Sequence, residues 1–225
     1  MNLPQIVSAT EWEQVRDELL AEEKAATHAL DALAARRRRL PMVRFDEPYV
    51  FTGPDGPTSL IDLFDQRRQL IVYQFMDLGP DHFCGGCSSY TDNIPNLTHL
   101  RARDTNYVHI SRMPYPQIAR AAQRMGWQVP FYSSHGTDFD MDCGLDGGFG
   151  LSVFLRDRHD VFRSYFTTAR GVDRLRVDFN LLDLTPYGRQ ESWEDSPDGW
   201  PQVPTYSPPP ARDEYADHSE REPLR

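Results

Sequence analysis

Two cysteines separated by two glycines, Cys84-Gly85-Gly86-Cys87, are the residues of this chain whose type and spacing best suit them to chemistry. Disulfide exchange needs one thiolate to attack and a second thiol near enough to resolve the mixed disulfide, and a C-x-x-C spacing supplies both. The same pair is also half of a soft-metal site, which Cys143 and His82 or His135 would complete as a zinc tetrahedron. No second C-x-x-C pair is present to strengthen that alternative.

The elements around the pair decide between an active thiol and a buried one. Leu70 to Met76 is an apolar, β-rich run that suggests a strand buried on both faces, and the cysteines follow within about eight residues. After them Phe83, Cys87, Tyr90, Ile94 and Leu97 keep helical steps, so the pair opens a helix, which Pro95 should kink. Tyr107 to Ser111 reads as a strand, Tyr115 to Met125 as a helix and Val129 to Ser133 as a third short strand. Leu151 to Leu155 and Val161 to Thr167 form a hairpin around Arg158-His159-Asp160. Val172 to Leu182 closes the folded part as a helix. Before the pair, Val43 to Phe51 is β-like, Gly53-Pro54-Asp55-Gly56 marks a turn, and Thr58 to Gln66 suits a short helix capped by Thr58 or Ser59.

The ends differ in kind. Thr10 and Glu13 form a capping box, and Trp12, Val15, Leu19, Ala26, Leu30 and Leu33 give an apolar stripe, predicting one amphipathic helix over residues 10–38 that Pro41 stops. Arg36, Arg37, Arg38 and Arg39 suit a helix C-terminus, complementing its dipole. From Trp193 onward seven prolines and many charges predict an irregular tail. Its Trp193, Trp200, Tyr206 and Tyr215 suggest that part of it packs on the domain. The expected organisation is a helical extension over residues 1–41, one domain over 42–190 and the Pro-rich tail over 191–225.

Composition limits the function classes. Thirty-four acidic against 24 basic residues give a net charge of −10, which repels phosphate and disfavours nucleic acid and anionic membranes as partners. Lys24 is the sole lysine, so Schiff-base and P-loop lysine chemistry have almost no candidates. Three cysteines are too few, and odd in number, for a disulfide-stapled secreted scaffold. No signal-peptide pattern and no apolar run of membrane-spanning length is apparent, so a cytoplasmic location is expected.

Strand, C-x-x-C at a helix start, strand, helix, strand, hairpin and last helix is the succession of a thioredoxin-like α/β fold. It predicts a mainly parallel central sheet with the hairpin as an antiparallel edge, hence a mixed sheet flanked by helices. The functional crevice should lie beyond the carboxyl ends of the strands.

The stretch from Tyr49 to Gly188 resembles the bacterial DUF899 family, thioredoxin-like proteins described as predicted dithiol-disulfide oxidoreductases. The resemblance rests on Leu70-Ile-Val-Tyr-Gln-Phe-Met76, Cys84-Gly-Gly-Cys87 with Asp92-Asn93, Ser111-Arg112, Met125-Gly126-Trp127, Ser133-Ser134, Asp138-Phe139, Gly150 to Phe154, Ala169-Arg170-Gly171-Val172-Asp173 and Leu182-Asp-Leu-Thr-Pro186. Against thioredoxins, Phe83 replaces the usual tryptophan, Gly85-Gly86 replaces Gly-Pro, and no proline immediately precedes the Leu151 strand. The segment from Pro130-Phe131 through the hairpin leans toward the peroxiredoxin branch.

These readings assign Cys84 as nucleophile, activated by helix N-terminal N–H groups, and Cys87 as its more buried resolving partner. His82 is a candidate to stabilise the thiolate or shuttle a proton, with an idle loop histidine as the plain alternative; Asp77 and Asp81 would oppose the thiolate. Phe83, Gly85, Gly86 and Arg170 are placed around the pair, Arg170 with Asp138, Phe139 and Asp173 by family motif. Asp173 could instead cap the last helix. Cys143 reads as a free, partly buried thiol. A peroxidase would need an arginine and a hydroxyl over one cysteine, with Arg112, Arg170 and Thr91 as helpers, and a non-catalytic binding module is the third class. The expected partner is a protein or small-molecule disulfide or thiol, with no organic cofactor needed and a homo-oligomer possible.

Overall fold

In the computed structural model, residues 3–80, 82–94, 96–205, 207 and 209–215 are described. The apolar run beside the cysteines forms β4 (Gln69–Phe75), and it is the strand from which the rest of the sheet is built. On one side it pairs in parallel with β5 (Thr105–Ser111), which pairs in parallel with β6 (Phe131–Ser133). On the other side it pairs antiparallel with β7 (Gly150–Asp157), and β7 with β8 (Asp160–Thr168). The short β1 (Val43–Arg44) extends that side, while the hairpin of β2 (Val50–Gly53) and β3 (Gly56–Ser59) extends the other, giving the order β1-β8-β7-β4-β5-β6-β2-β3. Only the two central pairings are parallel. The sheet is mixed, as the succession of elements predicts, but the antiparallel pairings outnumber the parallel ones, because the hairpin sits directly beside β4 with β7 antiparallel to both β4 and β8.

Side chains alternate along β4 and build two cores. Leu70 and Val72 join Phe51, Phe64, Ile110, Phe139 and Phe154 on one face, whereas Tyr73 and Phe75 join Cys87, Tyr90, Met113, Ile118 and Leu151 on the other. A strand sandwiched in this way explains the near-continuous apolar run.

The helix α1 (Ala9–Arg37) starts one cap earlier than expected, since Ser8 and Glu11, not Thr10 and Glu13, form the capping box. None of its residues is buried, and Trp12 keeps 60% of its surface exposed. At its other end Arg39 donates to the Ala35 carbonyl at 2.7 Å, satisfying one of the carbonyls left free there. Three further expectations are corrected. Residues 58–66 do not form a helix: the turn after β2 carries β3 through Ser59, leaving room for one 3-10 turn, Asp62–Phe64. The helix at the cysteines does not run through to Leu97 but stops as α2 (Gly85–Asp92), with a separate α3 (Thr98–Arg101); the expected kink at Pro95 lies outside the described residues. The last helix, which follows a short α5 (Phe139–Asp142) and the β7–β8 hairpin, is likewise divided into a 3-10 segment, Ala169–Leu175, and α6 (Val177–Leu182). By contrast α4 (Tyr115–Met125) and the β7–β8 hairpin follow the periodicity closely.

Among the described residues the tail joins no strand of the central sheet but packs on the domain. Trp200 meets Tyr187 edge-on at 5.1 Å, and Trp193 lies under the Arg170 guanidinium at 3.7 Å. Further along, Arg212 reaches Asp92 at 3.2 Å, Asp213 reaches Arg124 at 3.1 Å, and Ala211 is buried. Tyr215 is half exposed, and Tyr206 lies outside the described residues.

Candidate functional site

Cys84 is the N-cap of α2: its backbone is still extended, and its sulfur accepts the Cys87 N–H at 3.4 Å. Cys84 and Cys87 approach to 3.5 Å as free thiols. Their surroundings differ sharply. Cys84 is partly exposed, and the hydrogen bond from the Cys87 thiol together with the Cys87 and Gly86 backbone N–H groups brings its pKa down to about 6. Cys87 is only 1% exposed, and burial pushes its thiol well above the ordinary range. One sulfur is thus poised as a thiolate while the other is held as a thiol.

Two groups face the buried sulfur that sequence reasoning missed. The Tyr73 hydroxyl, fully buried in β4, has no hydrogen-bond partner among the described residues, and the Cys87 thiol is the group that acts on it most strongly. The backbone N–H of Met76, at the end of the same strand, is also directed at it. A signal for Tyr73 was present in the sequence, because a phenol inside a run buried on both faces needs a polar partner.

Beside Cys84 opens a cavity of about 330 Å³ whose walls include Met76, Leu78, Tyr90, Phe149, Phe179 and Pro209. Phe149 sits just ahead of β7. Gly85 and Gly86 belong to the first turn of α2, and Gly85 is required by contact: a Cβ there would stand 1.9 Å from the Pro209 carbonyl oxygen. We expect Gly85→Ala to fold, since alanine is the better helix former by about 0.5–1 kcal/mol, but to lift the tail. Trypsin cleavage after Arg212 should then quicken by about 5- to 30-fold, the effect of one or two kcal/mol of lost packing. Unchanged cleavage would mean the tail does not rest on α2.

Other expected neighbours lie elsewhere. His82 is exposed, its Nδ1 2.9 Å from the Pro80 carbonyl, and it does not line the cavity. Phe83 pairs by its backbone with Asp77 and packs on the second core. The Asp77 carboxylate accepts from the Gly79 N–H at 2.9 Å, and Asp81 is not among the described residues. Arg170 stacks on Trp193 and sits 3.6 Å from Asp173, outside the cavity. Asp173 does not cap α6, whose N-cap is Arg176; instead it accepts from the Tyr90 hydroxyl and from Arg189, each at 3.0 Å, tying α2 to the segment after β8. Asp138 and Phe139 are also misplaced by the motif argument, because Phe139 belongs to the core on the other face of the sheet.

Neither the zinc set nor the peroxidase set is brought together. Cys143 is buried in the first core, across the sheet from Cys87, and His135 contacts the Arg112 carbonyl at 3.1 Å. Among the described residues no three His, Cys, Asp or Glu side chains are grouped to hold a metal. Thr91 donates to the Cys87 carbonyl at 2.9 Å, and Arg112 lines a separate hollow with Asp77, His135 and Asp140.

A mixed sheet whose central strand delivers a dithiol to the first turn of a helix defines a thioredoxin-like fold. Within it, the chain belongs to the DUF899 family, described as bacterial proteins of unknown function, whose profile matches residues 1–206. No curated protein matches the sequence. Among solved structures, a hypothetical protein, SMc02350, from Sinorhizobium meliloti is similar at 10% identity, over 57% of this chain and 71% of that one, with a TM-score of 0.44. A putative thiol:disulfide interchange protein DsbE from Chlorobium tepidum follows at 12% identity, 60% and 93% coverage and a TM-score of 0.43. Peroxidoxin BcpB from Mycobacterium tuberculosis is 19% identical, with 64% and 96% coverage and a TM-score of 0.42. Among the described residues no helix is long and apolar enough to cross a membrane.

Proposed function

We propose that the chain is a thiol-disulfide oxidoreductase in which Cys84 is the nucleophile and Cys87 the resolving thiol. The observation that carries this reading is the asymmetry of the pair: a partly exposed sulfur with a lowered pKa beside a buried one with a raised pKa. The Cys84 thiolate attacks a disulfide, forming a mixed disulfide and releasing one thiolate. Cys87 then attacks the Cys84 sulfur, its proton leaving with the second released thiolate, and the protein is left with a Cys84–Cys87 disulfide. Two electrons pass to the substrate, and an external dithiol returns them. We place this cycle in a cytoplasmic, reducing setting, with residues 42–190 as the catalytic domain and the α1 extension and the tail as additions to it.

Equilibration against graded thiol-disulfide buffers, followed by alkylation and mass measurement, tests the reading directly. A Cys84–Cys87 disulfide forming in a single two-electron transition supports it, and failure of the pair to oxidise at any accessible potential ends it. The lowered pKa gives a second check. Alkylation of Cys84 by iodoacetamide should rise with pH about tenfold per unit and level off above about pH 6, whereas an ordinary cysteine levels off above about 8.5. A midpoint near the ordinary value would remove the activation on which the mechanism depends.

A further inference from the structure

The cavity beside Cys84 has walls that name a substrate class, on the premise that the dithiol exchanges disulfides as proposed above. Its polar side chains already have partners. The Tyr90 hydroxyl is bound to Asp173 and Asp173 to Arg189. Arg176 donates through its Nε to Asp178 at 2.7 Å, with its guanidinium carbon 3.9 Å from the Phe179 ring centroid. Glu191 accepts from the Trp193 indole, and the Ser207 hydroxyl donates to the Pro204 carbonyl at 2.8 Å. Most of the surface that remains for a ligand is apolar, from Met76, Leu78, Phe149, Phe179 and Pro209. The volume, about 330 Å³, falls at the small end of small-molecule sites, which run about 300–1,000 Å³. The backbone at Gly85, beside which a bulky polypeptide disulfide would need room, is covered by the Pro209 carbonyl.

We infer that this cavity is the substrate site and that it takes a small disulfide, or the corresponding thiol, bearing an uncharged apolar substituent, in preference to charged small disulfides and to disulfides of folded proteins. The ring or alkyl group fills the cavity, and the sulfur attached to it bonds to Cys84 as the other sulfur leaves with the electron pair.

The test compares three disulfides with the full chain: neutral 4,4′-dithiodipyridine, the dianionic 5,5′-dithiobis(2-nitrobenzoate) and insulin. Each rate is divided by that of the same disulfide with 2-mercaptoethanol, at high salt so that the net charge of −10 is screened. The neutral aromatic should be favoured by at least about tenfold over both others, the scale on which hydrophobic pockets discriminate. Leu78 is half exposed, so Leu78→Gln leaves the fold intact, and it should cut that advantage several-fold, with iodoacetamide alkylation of Cys84 checking that the thiolate is undisturbed. Equal normalised rates for the dianion or for insulin would overturn the apolar, small-molecule assignment while leaving exchange itself standing. Exchange with none of the three, with Cys84 still open to alkylation, would overturn the oxidoreductase reading and this inference with it.

Discussion

Cys84→Ser should abolish disulfide exchange, lowering turnover by at least about 10³-fold, because a serine hydroxyl is not ionised at neutral pH and the nucleophile is lost outright. Cys87→Ser should behave differently. It retains the attacking sulfur and lacks the resolving one, so the protein should stop after one event as a stoichiometric mixed disulfide, visible as a mass adduct on Cys84. The serine hydroxyl can still donate to the Cys84 sulfur, so the Cys84 pKa should stay low and the adduct should form nearly as fast at pH 7 as at pH 8. Cys143→Ser should leave exchange near wild type, since that thiol is buried in the other core, where burial raises its pKa to about 11. Exchange surviving in Cys84→Ser, or an adduct found on Cys143, would overturn the assignment of roles.

The distinction among the three cysteines shows what a sequence can carry. The Cys84–Cys87 pair was legible because a local pattern, a buried strand running into a helix start, fixes where both thiols sit. Periodicity reports which face is buried but not whether the chain is continuous, so α2 and α3 were read as one helix, and the Ala169–Leu175 segment was fused with α6. The antiparallel hairpin was legible too, but not its place: a β7 buried on both faces fits an edge or an interior position equally, and its register with β4, Gln69 opposite Leu155, puts it beside the central strand. The cavity was the least legible feature. Met76, Tyr90, Phe149, Phe179 and Pro209 come from five separate segments and meet only when the domain and the tail have packed. The family motifs divide at this site: Arg170 stacks on Trp193 outside the cavity, whereas Asp173 lines the cavity while pairing with Tyr90 and Arg189.

Tyr73→Phe should separate the two steps of the reaction. In the second step Cys87 must develop negative charge where burial disfavours it, and the groups within reach to offset that charge are the Tyr73 hydroxyl and the Met76 N–H. Tyr73 cannot serve as the base, because its own pKa is pushed well above the ordinary tyrosine value by burial and by the neighbouring cysteine. It acts as a donor to the nascent thiolate. A hydrogen bond to a charged group contributes about 1.5–3 kcal/mol, so its removal should slow resolution by about 10- to 150-fold. The first step, governed by Cys84, should keep its rate and its midpoint near pH 6, and the mixed disulfide should therefore accumulate in rapid-mixing experiments with mass detection. Raising the pH should restore resolution in the variant, because the Cys87 pKa rises without its donor and more alkaline solution is needed to ionise it. Phenylalanine leaves no orphaned partner in the core, so thermal stability should change little. Resolution at the wild-type rate would leave the Met76 N–H as the sole stabiliser of Cys87, and slowing of both steps together would place the effect of Tyr73 in packing of the strand rather than in the reaction.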